Sequence, residues 1–220
     1  MKIKLAFMGD SITDMGRDRS DSHDLGKGYP LFASALIREK YPAVEFEFIN
    51  LGLSGYRTEN LLSDWHLVAD NGLDGEVDIV SIMFGINDTW NALVRDSIYP
   101  DELYESGYRE ILDRTMKLTG GAKLLMLEQF LTPSLDKNHW RHDVDNKIQV
   151  TRKVAQDYAQ AYIPTDGLLA SQYLVKEPAE FYVADGVHPT DEGAKYIASL
   201  YIDAVSPLID AVIRKKSPKA

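Results

Sequence analysis

The sequence contains no cysteine, which excludes disulfide bonds, thiolate metal ligands and a cysteine nucleophile. It also lacks a run of the roughly 18 uncharged apolar residues that a transmembrane helix needs. The first residues, "MKIKLAFMGD", carry positive charge, but their apolar stretch is too short for a signal peptide and has no small-residue cleavage site. We therefore expect a cytoplasmic protein with no membrane partner.

Acidic residues outnumber basic ones. The chain has 24 Lys and Arg residues against 34 Asp and Glu residues, for a net charge of -10. Binding to a phosphate backbone needs clustered basic side chains, so we do not expect a nucleic-acid partner. The one basic run, "IRKKSPKA" at residues 213–220, is interpreted as a solvated tail.

Apolar runs alternate with amphipathic stretches along the 220 residues. The apolar runs predict strands at residues 3–8, 44–50, 77–84, 122–130 and 161–165. The amphipathic stretches predict helices at residues 29–40, 58–70, 101–119, 142–160 and 191–213. With no linker or repeat, this alternation predicts one domain over residues 1–220, a three-layer α/β/α sandwich around a parallel sheet of about five strands.

Two polar loops follow predicted strands, at residues 14–28 and 131–141. Loops that follow parallel strands lie at the carboxyl edge of the sheet, where open α/β folds bind ligands. Long loops in compact domains often carry function. Both loops are therefore candidates for the binding face.

Four short segments lie at predicted strand ends or before the last helix. They are "GDSITD" (9–14), "NLGLSGYRT" (50–58), "GIND" (85–88) and "DGVHPT" (185–190). Taken singly, each has a structural explanation: a helix cap, glycines with positive φ, turn residues, or a helix start.

Taken together, the four segments indicate nucleophilic catalysis. A serine hydroxyl such as that of Ser11 needs a positioned imidazole to take its proton, and His188 can supply it. Asp185, three residues earlier, can orient that imidazole. The N–H groups of Ser11 and Gly55 and the side-chain amide of Asn87 are candidate donors to an oxyanion.

These segments, in this order, resemble the SGNH (GDSL-type) hydrolases over nearly the whole chain. The stretches "GDSITDMGR", "GKGYP", "INLGLSGYRTENLL", "SIMFGINDTW" and "DGVHPT" are similar to intracellular bacterial acetylxylan esterases and related carbohydrate acetylesterases. The resemblance implies a flavodoxin-like SGNH hydrolase fold with Ser11 as nucleophile, His188 as base and Asp185 orienting it. It also implies that Gly55 and Asn87 complete the oxyanion hole. The G-x-S-x-G motif of ordinary α/β-hydrolases is absent.

Further residues are candidate substrate contacts. Aromatic rings at the carboxyl edge can stack on the apolar face of a sugar, although packing residues give the same pattern. Asp10 is expected to support the serine loop, and Tyr56 stands where many relatives have a small polar residue. The candidates are Asp10, Tyr56, Trp90, Trp140 and Arg141.

The sequence and the resemblance together predict a serine esterase that deacetylates sugars such as xylo-oligosaccharides through an acetyl-enzyme. Its partner is then a small-molecule or oligosaccharide acetyl ester, with no metal or organic cofactor. His139 and His142 are spaced like a ligand pair but lack an identifiable third ligand. A lysophospholipase, thioesterase or arylesterase remains an alternative, as does a non-catalytic carbohydrate-binding protein. Relatives often form homo-oligomers, although no interface pattern is visible in the residues.

Overall fold

Five parallel strands form the centre of the computed structural model, which describes residues 1–217. The strands are β1 (Lys2–Gly9), β2 (Glu45–Gly52), β3 (Ile79–Met83), β4 (Lys123–Leu127) and β5 (Ala161–Ile163). Their order in the sheet is β2-β1-β3-β4-β5. This is the flavodoxin-like order of doubly wound folds, so the predicted fold class is confirmed.

Helices cover both faces of the sheet. They are α1 (Ser11–Asp14), α2 (Tyr29–Lys40), α3 (Thr58–Ser63), α4 (His66–Ala69), α5 (Ile86–Val94), α6 (Asp101–Thr119), α7 (Arg141–Tyr158), α8 (Thr165–Tyr173), α9 (Ala179–Tyr182) and α10 (Asp191–Lys216). A short 3₁₀ turn, Asn138–Trp140, leads into α7.

Strand β1 divides the core in two. Ile3, Leu5 and Phe7 face one buried cluster, which includes side chains of α2 and α10. Ala6 and Met8 face the other, which includes side chains of α3 and α6. Successive residues of a strand point to opposite faces. Because both faces are covered, the strand has the nearly continuous apolar sequence from which it was predicted.

Two stretches differ from the predicted helices. The helix predicted over 58–70 is divided into α3 and α4, with Asp64 capping the first. Asn87 and Asp88, which alone fit a turn, lie in the first turn of α5. An acidic side chain is favourable at that end of a helix.

The basic run at residues 213–220 is not simply a solvated tail. Its first four residues form the last turn of α10, while residues 218–220 lie outside the described part of the chain. The Lys216 ammonium donates to the backbone carbonyl of Lys2 (2.9 Å) and to the Asp78 carboxylate (2.6 Å). Helix α10 is long and apolar enough to cross a membrane by length and composition, as core helices of soluble proteins also can be.

Helix α10 starts under a tight steric constraint. A Cβ built on Gly193 lies 1.9 Å from the carbonyl oxygen of Tyr182 in α9. The Thr190 hydroxyl also joins the two helices, accepting the Gly193 N–H (3.1 Å) and donating to the Phe181 carbonyl (2.6 Å). The residue at position 193 must therefore be glycine.

We expect Gly193→Ala to lower the free energy of unfolding by about 2–3 kcal/mol, because the α9 backbone has to move. Urea denaturation followed by circular dichroism measures the change. Gly167→Ala in α8 is the matched control: no atom lies within 4 Å of a Cβ built there. Its expected change is below about 1 kcal/mol and in the stabilising direction. Equal free energies of unfolding for the two variants would contradict this expectation, because they would show that the α9 backbone moves at little cost.

Candidate active site

Ser11 begins α1, directly beyond the carboxyl end of β1. The turn before it is tight: a Cβ built on Gly9 lies 2.1 Å from the Thr13 hydroxyl and 2.9 Å from the Met83 carbonyl. Asp10 caps the helix, its Oδ1 accepting the Ile12 N–H at 3.0 Å. The Gly-Asp-Ser sequence thus places a hydroxyl at the carboxyl edge of the sheet.

His188 and Asp185 lie beside Ser11, although 177 residues separate the serine from the histidine. Ser11 Oγ is 2.9 Å from His188 Nε2, and His188 Nδ1 is 3.0 Å from Asp185 Oδ2. The N–H groups of Val187 and His188 donate to Asp185 Oδ1 at 3.0 and 2.7 Å. This geometry allows the imidazole to accept the serine proton while the carboxylate orients the ring.

The charge on Asp185 is stabilised within its own loop. Burial opposes ionisation, but the hydrogen bonds from the backbone and ring of His188 and from the Val187 N–H outweigh it. The pKa of Asp185 therefore lies below its usual value. The carboxylate is ready to stabilise a positive charge on the imidazole.

A cavity of about 310 Å³ opens beside the serine hydroxyl. It combines the candidate nucleophile and base with polar side chains and an apolar wall. Its lining residues are Ser11, Ser54, Gly55, Asn87, Trp90, Asn91, Val94 and His188. A cavity of this size accommodates a small ligand.

Both remaining oxyanion candidates line this cavity. Gly55 has a φ of +82°, and no atom lies within 4 Å of a Cβ built on it, so backbone conformation, rather than space, favours glycine there. Asn87 Nδ2 donates one hydrogen bond to the Tyr56 carbonyl (3.2 Å). An amide nitrogen carries two hydrogens, so Asn87 retains one for a ligand.

Two buried carboxylates hold the loop that carries Gly55, and their role was missed in the sequence. Asp14 Oδ2 accepts the Ser54 N–H at 3.2 Å. Asp88 Oδ1 accepts the hydroxyl of Thr58 at 2.6 Å and its N–H at 3.2 Å. Burial raises the pKa of Asp88 to about 6. Asp14 is the last residue of "GDSITD" and Asp88 the last of "GIND". Their place in these motifs is the sequence feature that could have indicated a supporting role.

Asp10 supports the serine turn, but its prediction as a substrate contact is wrong. The side chain is fully buried beneath α1 and does not line the cavity. Burial raises the pKa of Asp10 to about 7, against the opposing effect of the Ile12 N–H.

The side chains of Tyr56 and Arg141 form hydrogen bonds to residues outside the cavity. The Tyr56 hydroxyl donates to Asp64 Oδ2 at 2.9 Å. Arg141 donates to the Leu131 carbonyl (2.9 Å) and to Asp166 Oδ1 (2.8 Å). Neither residue lines the cavity, so the structure does not support them as substrate contacts.

The two tryptophans differ in position. Trp90 lines the cavity, with its ring centroid 6.1 Å from that of His188. Trp140 packs against Trp90 at a centroid distance of 5.0 Å, but only 5% of its surface is exposed. Trp90 therefore remains a candidate substrate contact, whereas Trp140 is a packing residue.

The pair weighed as possible metal ligands lies on the surface. His139 and His142 are both exposed, and the His139 ring packs edge-on against Trp140. Within residues 1–217, no group of three or more His, Asp or Glu side chains is arranged to hold a metal ion.

Comparison with known proteins matches the chain to one protein family and to an esterase of similar sequence. A model of the GDSL-like lipase/acylhydrolase family matches residues 7–196. An acetylxylan esterase from Geobacillus stearothermophilus is 28% identical over 208 residues, covering 90% of this chain and 92% of the relative.

Solved structures agree with the sequence match. The crystal structure of Axe2, an acetylxylan esterase from the same organism, aligns with a TM-score of 0.79 and 25% identity, covering 92% of this chain and 94% of that one. LAE5, an alpha/beta hydrolase enzyme from the metagenome of Lake Arreo, aligns with a TM-score of 0.80 and 26% identity, covering 94% and 96%.

Proposed function

Because the chain belongs to the GDSL-like lipase/acylhydrolase family, we propose that it is a serine esterase that removes acetyl groups from sugars such as xylo-oligosaccharides. One observation carries the proposal. The hydroxyl of Ser11, 2.9 Å from His188 Nε2, faces a cavity that Gly55 and Asn87 also line.

In the first half-reaction, Ser11 Oγ attacks the ester carbonyl carbon as His188 Nε2 takes its proton. The carbonyl oxygen becomes an oxyanion that accepts hydrogen bonds from the N–H groups of Ser11 and Gly55 and from Asn87 Nδ2. Asp185 stabilises the imidazolium. His188 then protonates the departing sugar oxygen, the carbon–oxygen bond breaks, and an acetyl group remains on Ser11.

The second half-reaction repeats these roles with water. His188 Nε2 removes a proton from water, whose oxygen attacks the acetyl carbon. The same donors hold the second oxyanion. Collapse releases acetic acid, which ionises to acetate in water, as Ser11 Oγ recovers a proton from His188, and the free enzyme is restored. These steps require no metal or organic cofactor.

Three observations support a small acyl group on a sugar. The cavity is small, about 310 Å³. The Trp90 ring supplies an aromatic wall suited to the apolar face of a sugar, and Asn91 adds an amide that can bind hydroxyl groups. The similar protein from Geobacillus stearothermophilus is an acetylxylan esterase.

We expect kcat/KM for 4-nitrophenyl acetate to exceed that for the octanoate by about 10-fold or more, because the proposed acyl subsite has to hold only an acetyl group while the rest of the cavity takes the sugar. Acetate release from acetylated xylo-oligosaccharides is expected in the same preparation. A preference for octanoate would contradict sugar deacetylation and favour a lysophospholipase, thioesterase or arylesterase. Binding of xylo-oligosaccharides without turnover of any ester would favour a non-catalytic carbohydrate-binding protein.

A further inference from the structure

The segment between β4 and α7 lies against the loop that carries Asp185 and His188. The Thr132 N–H donates to the Gly186 carbonyl at 2.9 Å. A Cβ built on Gly186 lies 2.9 Å from the Ser134 side chain. This segment is outside the four motifs, yet it forms one wall of the acid–base loop.

Lys137 extends from this segment into a nearly closed site, with 7% of its side chain exposed. Its ammonium is 2.9 Å from Asp136 Oδ2, on an exposed side chain. It is also 3.9 Å from Asp185 Oδ2, the oxygen that faces His188 Nδ1. One carboxylate oxygen thus faces both the imidazole and an ammonium.

Two indole rings complete the surroundings of this ammonium. Lys137 Nζ lies 5.5 Å from the ring centroid of Trp90 and 5.8 Å from that of Trp140. Both distances are within the range of cation–π attraction. Because carboxylates and aromatic faces surround it, the cation is held at this position beside Asp185.

We propose that Lys137 is a positioning residue whose ammonium offsets part of the Asp185 charge and so sets the pH range over which His188 acts as a base. This rests on the proposed function. With a cation beside it, Asp185 holds a protonated imidazole less strongly. His188 then loses its proton, and can accept that of Ser11, at a lower pH.

The other charges near His188 act in the opposite direction. Asp185 lies on the same loop, and Asp10 lies beneath the serine turn that packs against the ring. The Asp185 carboxylate favours the protonated imidazole, and Asp10 does so when it is ionised. Trp90 of α5, whose ring neighbours that of His188, is neutral. Among these neighbours, Lys137 supplies the opposing positive charge, while Asp136 partly compensates it from the solvent side.

The test compares Lys137→Met with Lys137→Arg. Methionine keeps an apolar chain against the indole rings but removes the charge, whereas arginine retains the charge. We expect the acid limb of kcat/KM for 4-nitrophenyl acetate to move upward by about 0.5–1 pH unit in Lys137→Met and by less than about 0.2 in Lys137→Arg. Lys137→Gln repeats the measurement if the methionine variant is poorly folded by circular dichroism.

Lys153→Met is the matched control, because it changes the net charge by the same amount. Lys153 lies on α7 with 63% of its side chain exposed and pairs with Glu105 at 2.8 Å. The acid limb of kcat/KM for Lys153→Met is expected to coincide with that of the wild type. A shift of the same size in this variant would overturn the local role of Lys137.

NMR titration of the His188 ring in the free protein gives a readout that needs no turnover. The ring is expected to titrate at higher pH in Lys137→Met, by the same shift as the acid limb. If neither quantity moves, the inference about Lys137 is wrong even though the esterase is active. If the wild type hydrolyses no ester, the proposed function fails, and the ring titration still decides whether Lys137 acts on His188.

Discussion

Ser11→Ala is expected to lower kcat/KM for 4-nitrophenyl acetate by about 10⁴-fold or more. The variant has no hydroxyl for His188 to activate, and no acetyl-enzyme can form. The oxyanion donors remain, so a small residual rate over the uncatalysed reaction is expected. Burst kinetics and mass spectrometry of the quenched enzyme check the loss of the acetyl intermediate.

The fold of this variant should be unaffected. The partner of the Ser11 hydroxyl is His188, and the cap on α1 comes from Asp10, so the free energy of unfolding should change by less than about 0.5 kcal/mol. Ser54→Ala is the control, since Ser54 lines the same cavity and its N–H bond to Asp14 is retained. It should keep activity within about 3-fold. More than about 1% residual activity in Ser11→Ala would refute the nucleophile assignment.

Asp185→Asn is expected to lower kcat at pH 7 by about 10³–10⁴-fold. Asp185 Oδ1 accepts two backbone N–H groups, so the amide oxygen of asparagine must take that position. Its NH₂ group then faces His188 Nδ1. A donor there favours the tautomer with the proton on Nε2, and that nitrogen can no longer accept the serine proton.

Asp136→Asn is the matched control for this substitution. It removes a carboxylate of the same type that also contacts Lys137, but its side chain is 72% exposed and it does not touch His188. Activity within about 3-fold of the wild type is expected. If Asp185→Asn retained more than about a tenth of wild-type kcat, the orienting role of Asp185 would be wrong.

The strands, and the edge of the sheet at which the candidate site residues lie, could be predicted because both follow local rules. Strands covered on both faces have continuous apolar sequences, and parallel strands bring their carboxyl ends to one edge. Ser11, Gly55 and Asn87 each follow such a strand closely. Their convergence therefore required no knowledge of side-chain packing.

Helix α5, which contains Asn87, was harder to predict from the sequence. Asn and Asp favour turns in isolation, and nine-residue helices are marginal without tertiary contacts. In the structure Ile86, Thr89 and Ala92 are buried on one side of α5. Packing, rather than local preference, stabilises this helix.

The partners of the loop at residues 131–141 could not be read from the sequence. Arg141 bonds Asp166, 25 residues later, and Trp140 lies beneath Trp90, 50 positions earlier in the sequence. Such contacts depend on how the loop folds back over the sheet. The same holds for Lys137, whose neighbours come from three separate segments.

The bond between Lys216 and the carbonyl of Lys2 brings the two ends of the described chain together where β1 starts. Ser11, the proposed nucleophile, follows the other end of the same strand, about 25 Å away for eight extended residues. An affinity handle, a solid support or a fused module attached next to Lys2 or Lys216 would thus emerge from the side of the sheet remote from the cleft. Immobilising the protein by one terminus should leave the approach of a bulky, branched polysaccharide unobstructed.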